Sequence, residues 1–137
     1  MYKKTITIFF ILLVIAGAAF GSLTFEYFTG KTNAEGILLE WKTGDEGGIV
    51  KFEIERSAVS PNSFVYIKTL SANGNNSYYS YQDNSVDFNG KSNSSVYYYR
   101  LKCINSNGTY SYTNTITVVH TVSGIKNTWG SIKAIFR

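Results

Sequence analysis

Few residues in this 137-residue chain are of the types that do chemistry, and their spacing argues against most of it. Cys103 and His120 are each the one residue of their kind. That excludes a disulfide scaffold and every multi-cysteine zinc site, and leaves His120 as a surface side chain with no second ligand. Ser57, in Glu-Arg-Ser-Ala, has no G-x-S-x-G elbow to expose a nucleophile. Asp45-Glu46, and Asp83 with Asp87, offer loop carboxylates that calcium could use. They lack EF-hand spacing, and the plainer expectation is solvated turn acids. The glycines after Glu46 come without a phosphate-binding lysine pattern. Asn75, Asn93 and Asn107 head three N-x-S/T triplets that read as polar turns. No catalytic residue, metal or cofactor is expected, and the composition points away from an enzyme.

Aromatic side chains are the better functional candidates. The chain carries 22 of them, 11 being tyrosine, which excludes an intrinsically disordered tail. Tyr78, Tyr98 and either Tyr110 or Tyr112 are expected to face outward, where clustered tyrosines stack on sugars or anchor a protein partner. The competing expectation is cross-strand pairing that only stabilises a sheet.

Positioning these side chains falls to short strands. From residue 22 onward, alternating runs are separated by Gly, Asn, Asp and Ser clusters, the signature of an antiparallel sandwich or barrel. Strands are expected near 23–29, 36–43, 49–57, 63–70, 77–82, 95–104 and 109–119. Ile37, Leu39 and Trp41 alternate with Leu38, Glu40 and Lys42; Phe52 and Ile54 alternate with Glu53 and Glu55. Tyr97, Tyr99, Leu101 and Cys103 alternate with Tyr98, Arg100 and Lys102. The first set of each strand, with Ile116 and Val118, supplies one core, as in sheets buried on one face. Cys103 on that face reads as a small buried hydrophobe.

Ile37-x-Leu39-x-Trp41, Phe52-Glu-Ile-Glu-Arg-Ser57, Tyr81-x-Asp83 and Tyr97-Tyr-Tyr99-Arg-Leu101-Lys-Cys103-Ile-Asn105-Ser-Asn-Gly108 follow one another in order. Together they resemble a fibronectin type III domain, in the variant found in exported proteins of Bacteroidetes and related bacteria. The resemblance spans about residues 23–120 and implies a seven-stranded antiparallel immunoglobulin-like sandwich. It places Trp41 on the second strand at the centre of the core and Tyr97 at the core tyrosine position, its hydroxyl returning to backbone near the preceding corner. It also implies an exported adhesive, spacer or accessory module with no catalytic residues. In larger relatives this variant often precedes a C-terminal sorting domain; only about 17 residues follow Val119 here.

Three segments follow: 1–21 as a signal peptide or membrane anchor, 22–120 as the sandwich, and 121–137 as an amphipathic tail. Lys3 and Lys4 precede an apolar stretch that ends in small residues, with Ala16-Gly17-Ala18 fitting a cleavage site. The same 21 uncharged residues from Thr5 to Phe25 would span a bilayer as a helix. Both alternatives export the domain. In the tail, Trp129, Ile132 and Phe136 share a helical face beside Lys126, Lys133 and Arg137, suited to a partner, the sandwich surface or a lipid interface. The net charge of +4 resides in these ends, because residues 22–119 hold 8 basic and 9 acidic side chains. No basic stripe tracks along the body, so nucleic acid is not expected as a partner. The expected function is therefore an exported, non-enzymatic cell-surface or secreted module that binds protein or glycan through aromatic strand faces and the tail. The alternative is a structural subunit of a membrane complex or extracellular assembly, held by an uncleaved N-terminal helix. Mass spectrometry of the exported chain separates the two: a secreted module lacks the leader, and a chain still starting at Met1 would contradict it.

Overall fold

In a computed structural model the chain is all-β over the residues that can be described, 21–86, 88 and 94–121. Eight antiparallel strands form two sheets: β1 (Phe25–Asn33), β2 (Gly36–Thr43), β3 (Ile49–Ser57), β4 (Val65–Ser71), β5 (Tyr78–Asp83), β6 (Ser94–Asn105), β7 (Tyr110–Tyr112) and β8 (Ile116–Thr121). The smaller sheet has the order β1-β2-β5, and the larger runs β4-β3-β6-β7 with β8 also pairing β6. Their inner faces pack into a sandwich-like arrangement. Among the described residues no helix is long and apolar enough to cross a membrane. The leader or anchor and the amphipathic tail lie outside the described residues.

Alternation fixes what faces inward. Ile37, Leu39 and Trp41 of the small sheet meet Phe52, Ile54, Tyr99, Leu101 and Cys103 of the large one, all fully buried. Trp41 organises the centre. It stacks on Tyr79 at 5.2 Å and meets Phe28 and Phe52 edge-on at 6.2 and 6.0 Å. Such pairs add about 0.5–1.5 kcal/mol each beyond area burial. Tyr97 is buried further along β6, as expected from the strand pattern, and meets Phe88 edge-on at 6.2 Å.

Two strands differ from the sequence pattern. β1 continues to Asn33, into the 31–36 stretch expected to end it, and a two-residue connection leads into β2 through an Asn33–Gly36 pair. Asn33 Oδ1 accepts the Glu35 N–H and so closes that turn. Gly36, at φ +142°, is the residue that permits it; a Cβ there would stand 2.1 Å from the Asp83 carbonyl oxygen. At the other end, the single strand expected at 109–119 is interrupted. β7 pairs Lys102 with Tyr112, whereas β8 pairs Tyr99 with Ile116, so the outer strand holds one residue more than β6 across the gap. Thr113 bridges the slip: its N–H donates to the Leu101 carbonyl, and its hydroxyl accepts the Leu101 N–H. This is a bulge, which bends the strand and turns its edge.

One polar cluster ties the sheets together. Asp83, at the end of β5 in the small sheet, is fully buried. Its Oδ2 accepts Arg56 Nη1 of β3 at 2.6 Å and the Tyr99 hydroxyl of β6 at 2.8 Å. Its Oδ1 accepts the Ser85 N–H and hydroxyl at 3.0 and 2.6 Å. Burial opposes the charge, but the hydrogen bonds from Ser85, Arg56 and Tyr99 outweigh it and hold the carboxyl below its ordinary range. Tyr99 shows the converse, its hydroxyl pushed up by burial and by the neighbouring carboxylate.

Removing one partner of a buried ion pair strands the other, at a cost of about 3–5 kcal/mol. Asp83→Asn is therefore expected to lower stability by about 3 kcal/mol, read from the denaturant midpoint at unchanged slope. An unfolded Asp titrates near ~3.9. Because the folded value is lower, the wild-type advantage is present above about pH 4 and fades as pH falls through the folded value. The variant's stability should lack that part of the acid dependence.

Candidate functional site

The outer face of the five-stranded sheet carries an ordered ladder of cations and rings. Arg100 and Lys102 lie on the β6 face opposite buried Leu101 and Cys103, and so point away from the core. The Arg100 guanidinium lies between two rings, 4.1 Å from the Phe64 centroid and 3.9 Å from that of Tyr112. Its Nε donates to Glu55 Oε2 at 2.7 Å. Lys102 sits 4.3 Å over Tyr110, with Glu53 at 3.9 Å. Tyr110 and Tyr112 meet edge-to-face at 5.5 Å. Both remain exposed, at 56% and 44%, and Tyr66 on β4 is exposed at 60%.

Register explains why the rungs meet. Glu53, Lys102 and Tyr112 occupy one rung across β3, β6 and β7, and Glu55 and Arg100 pair on the next. Opposite charges directly across an antiparallel pair, flanked by aromatics, are the local unit of sheet stability. Single ion pairs at a half-buried sheet surface contribute little, about 1 kcal/mol or less. The ladder is worth less than the Asp83 cluster, so folding alone does not account for so many large exposed rings.

The expected aromatic positions divide between two surfaces. Tyr98 lies half-buried on this outer face, level with Thr117 of β8. Tyr78 lies on the opposite side of the molecule, in the outer face of the small sheet, where its hydroxyl donates to Glu40 and Glu40 pairs Lys31 at 2.8 Å. The structure does not bring Tyr78 and Tyr98 together. Tyr110 and Tyr112 face outward together rather than singly. Arg100 and Phe64 belong to the ladder although neither stands out in the sequence as a binding residue; for Arg100 the signal lies in the alternation of Tyr98-Tyr-Arg-Leu-Lys102, which turns it outward. Trp129, Ile132 and Phe136 lie outside the described residues.

The residues with chemical potential are taken up by structure. Ser57 is buried, and its hydroxyl oxygen accepts the Val59 and Ser60 N–H groups as a turn cap. His120 stacks on Phe88 at 3.7 Å. Glu46 and Asp83 correct the expectation of solvated turn acids: they are 3% and 0% exposed, and Glu46 has its own set of donors. The Thr43 and Tyr79 hydroxyls donate to one carboxylate oxygen and the Gly74 N–H to the other. The Asn75 side chain accepts the Glu46 N–H, so this triplet asparagine is a loop clamp. Asn107 similarly accepts the Thr109 N–H and hydroxyl as a turn. Among the described residues no three His, Cys, Asp or Glu side chains gather as a metal site.

A second feature borders the ladder. Where β1 parts from β7 and β8, an apolar cleft of about 290 Å³ opens between the sheets, lined by Phe25, Phe28, Thr113, Asn114 and Ile116. Further along, β1 closes on β8: a Cβ on Gly30 would approach Val118 Cγ2 to 2.6 Å.

Cys103 provides a control for this geometry. It is fully buried, and burial pushes its thiol up to about 12. A thiol reagent at neutral pH is expected to leave it unmodified until the chain unfolds, and rapid labelling of the native protein would place it wrongly. For the ladder, Tyr110→Ala and Tyr112→Ala are each expected to lower stability by less than about 1 kcal/mol, the scale of an exposed cation–π contact. Thermal unfolding checks this.

No family model matches the chain, and no curated protein does. Among solved structures it is similar in fold to a pectate lyase from Erwinia chrysanthemi, crystallised with tetragalacturonic acid. The two share 17% identity at a TM-score of 0.52. The match covers 71% of this chain but 28% of the lyase, so the chain spans under a third of that enzyme's length. The likeness is one of fold.

Proposed function

We propose that the chain is an exported, non-enzymatic module of the fibronectin type III kind, which binds a protein or glycan partner at a cell surface through the outer face of its five-stranded sheet. The observation that carries this reading is the ladder of Phe64, Arg100, Tyr112, Lys102 and Tyr110. Tyrosine and arginine are the side chains that most often anchor interfaces, because they bury large areas with few rotors to freeze. Here they are held in place before any partner arrives, which lowers the ordering cost of binding.

The fold supports the family reading through two features. Trp41 on the second strand sits at the centre of the core, and the sixth strand is the longest, carrying Tyr97, Tyr99 and Leu101 inward. The engagement of Ser57, Glu46 and Asp83 in hydrogen bonds within the fold supports the non-enzymatic part. The part given to Trp129, Ile132 and Phe136 remains that of an additional partner contact.

The test is a pull-down of surface components by the wild-type chain and by a Tyr110→Ala/Tyr112→Ala variant of unchanged fold. Loss of about tenfold or more in affinity is expected, the effect of removing a hot spot of ~1.4 kcal/mol or more. Equal retention of partners by the two proteins would overturn the reading.

A further inference from the structure

The ladder ends on β7, and β7 has a free edge. By alternation, Thr109, Ser111 and Thr113 hold the hydrogen-bonded positions against Asn105, Cys103 and Leu101. The N–H and C=O groups of Tyr110 and Tyr112 therefore point away from β6. Among the described residues no strand pairs with them. Natural edges are usually blunted by charges or proline. β1 carries Glu26 and Lys31, β4 carries Lys68, and β5, the other edge of the small sheet, ends on the inward-pointing charge of Asp83, whereas β7 is Tyr-Ser-Tyr. β8 is also uncharged apart from His120, but β1 lies against it.

The two sides of that edge differ in chemistry. On the outer side stand Tyr110, Tyr112 and the Arg100 guanidinium, whose Nε is bound to Glu55 and whose terminal nitrogens have no hydrogen-bond acceptor among the described residues. On the inner side, next to Thr113 and Asn114, lies the apolar cleft of about 290 Å³. That is roughly twice the ~150 Å³ of an apolar cavity that admits benzene. A strand added beside β7 would point successive side chains alternately to these two sides.

We infer that the edge of β7 accepts an extended peptide segment of a protein partner by strand addition, with apolar residues turned into the cleft and acidic residues turned toward Arg100 and Lys102. The inference deepens the binding role proposed above and rests on it: it selects protein over glycan and names the partner's chemistry. Backbone pairing with Tyr110 and Tyr112 supplies affinity, and the alternate side chains supply selectivity. Arg100 is suited to a carboxylate because stacking between Phe64 and Tyr112 fixes its plane while leaving the terminal fork open.

The probes are two blocked octapeptides, alternating Val with Glu and alternating Val with Lys, titrated into the full chain with amide resonances followed by NMR. The Tyr110 and Tyr112 amides are expected to exchange fast in the free protein, and the Val/Glu peptide to bind saturably and slow that exchange. Arg100→Gln should weaken that peptide about tenfold, the scale of one charge-assisted hydrogen bond, and erase its advantage over Val/Lys. Asn114→Trp, which fills the cleft from an exposed position, should weaken both peptides. Absence of saturable binding, binding without protection at Tyr110 and Tyr112, or undiminished selectivity in Arg100→Gln would each overturn the inference. So would amides already protected in the free chain, since a segment of the chain itself would then hold the edge. If the double tyrosine variant loses its partner while the peptides fail, the face is the binding site and strand addition is wrong.

Discussion

A buried charge that must be satisfied from both sheets governs this molecule. Asp83 sits where water cannot reach it, and an isolated carboxylate there would be prohibitively costly. Four donors from Arg56, Tyr99 and Ser85 meet it. Because Arg56 and Tyr99 belong to one sheet and Asp83 to the other, satisfying the charge fixes the sheets relative to each other. With β5 so placed, Tyr79 lies against Trp41 and reaches Glu46, which in turn holds the β2–β3 and β4–β5 loops together. Directional bonds of this sort specify a single arrangement more sharply than apolar packing does. They do for this disulfide-free chain what a covalent cross-link would do.

The apolar core was legible in the sequence; the buried charge of Asp83 was not. Period-two alternation placed Trp41, Phe52, Ile54, Tyr97, Tyr99, Leu101 and Cys103 inside, because a strand with one buried face has no other register. Alternation assigns a face but not a neighbour. It could not show that Tyr78 and Tyr98 belong to different sheets, since that depends on strand order. Nor could it show that Glu46 is buried: an acidic residue between glycines reads as solvent-facing until Thr43, Tyr79 and Gly74 converge on it from 3, 33 and 28 residues away. The break in the last strand was hidden for a similar reason. Thr113 is a good strand residue, and only its hydroxyl standing in for a backbone acceptor reveals the bulge.

The same accounting explains where function can lie. Asp83, Glu46, Ser57 and Asn75 are all engaged in holding the fold, and Cys103 is inert within it. The ladder on the large sheet is the contrary case. Its contacts are each worth about 1 kcal/mol or less, too little to explain the exposure of several large rings on stability grounds. The bulge at Thr113 bends β7 away from β8 and leaves an uncharged edge between the ladder and the apolar cleft. A feature that reads locally as an irregular strand thus sets the position of the surface best suited to a partner.

The central claim is that partners meet the outer face of the five-stranded sheet. Because Cys103 is buried and unreactive, a single added cysteine can be labelled selectively with a bulky maleimide. Thr69→Cys places the label on that face, beside Tyr66; Ser80→Cys places it on the outer face of the small sheet, opposite Glu40. The account predicts that the label at position 69 blocks partner capture by the full chain while the label at position 80 leaves it intact. Capture unaffected at position 69 and lost at position 80 would contradict it.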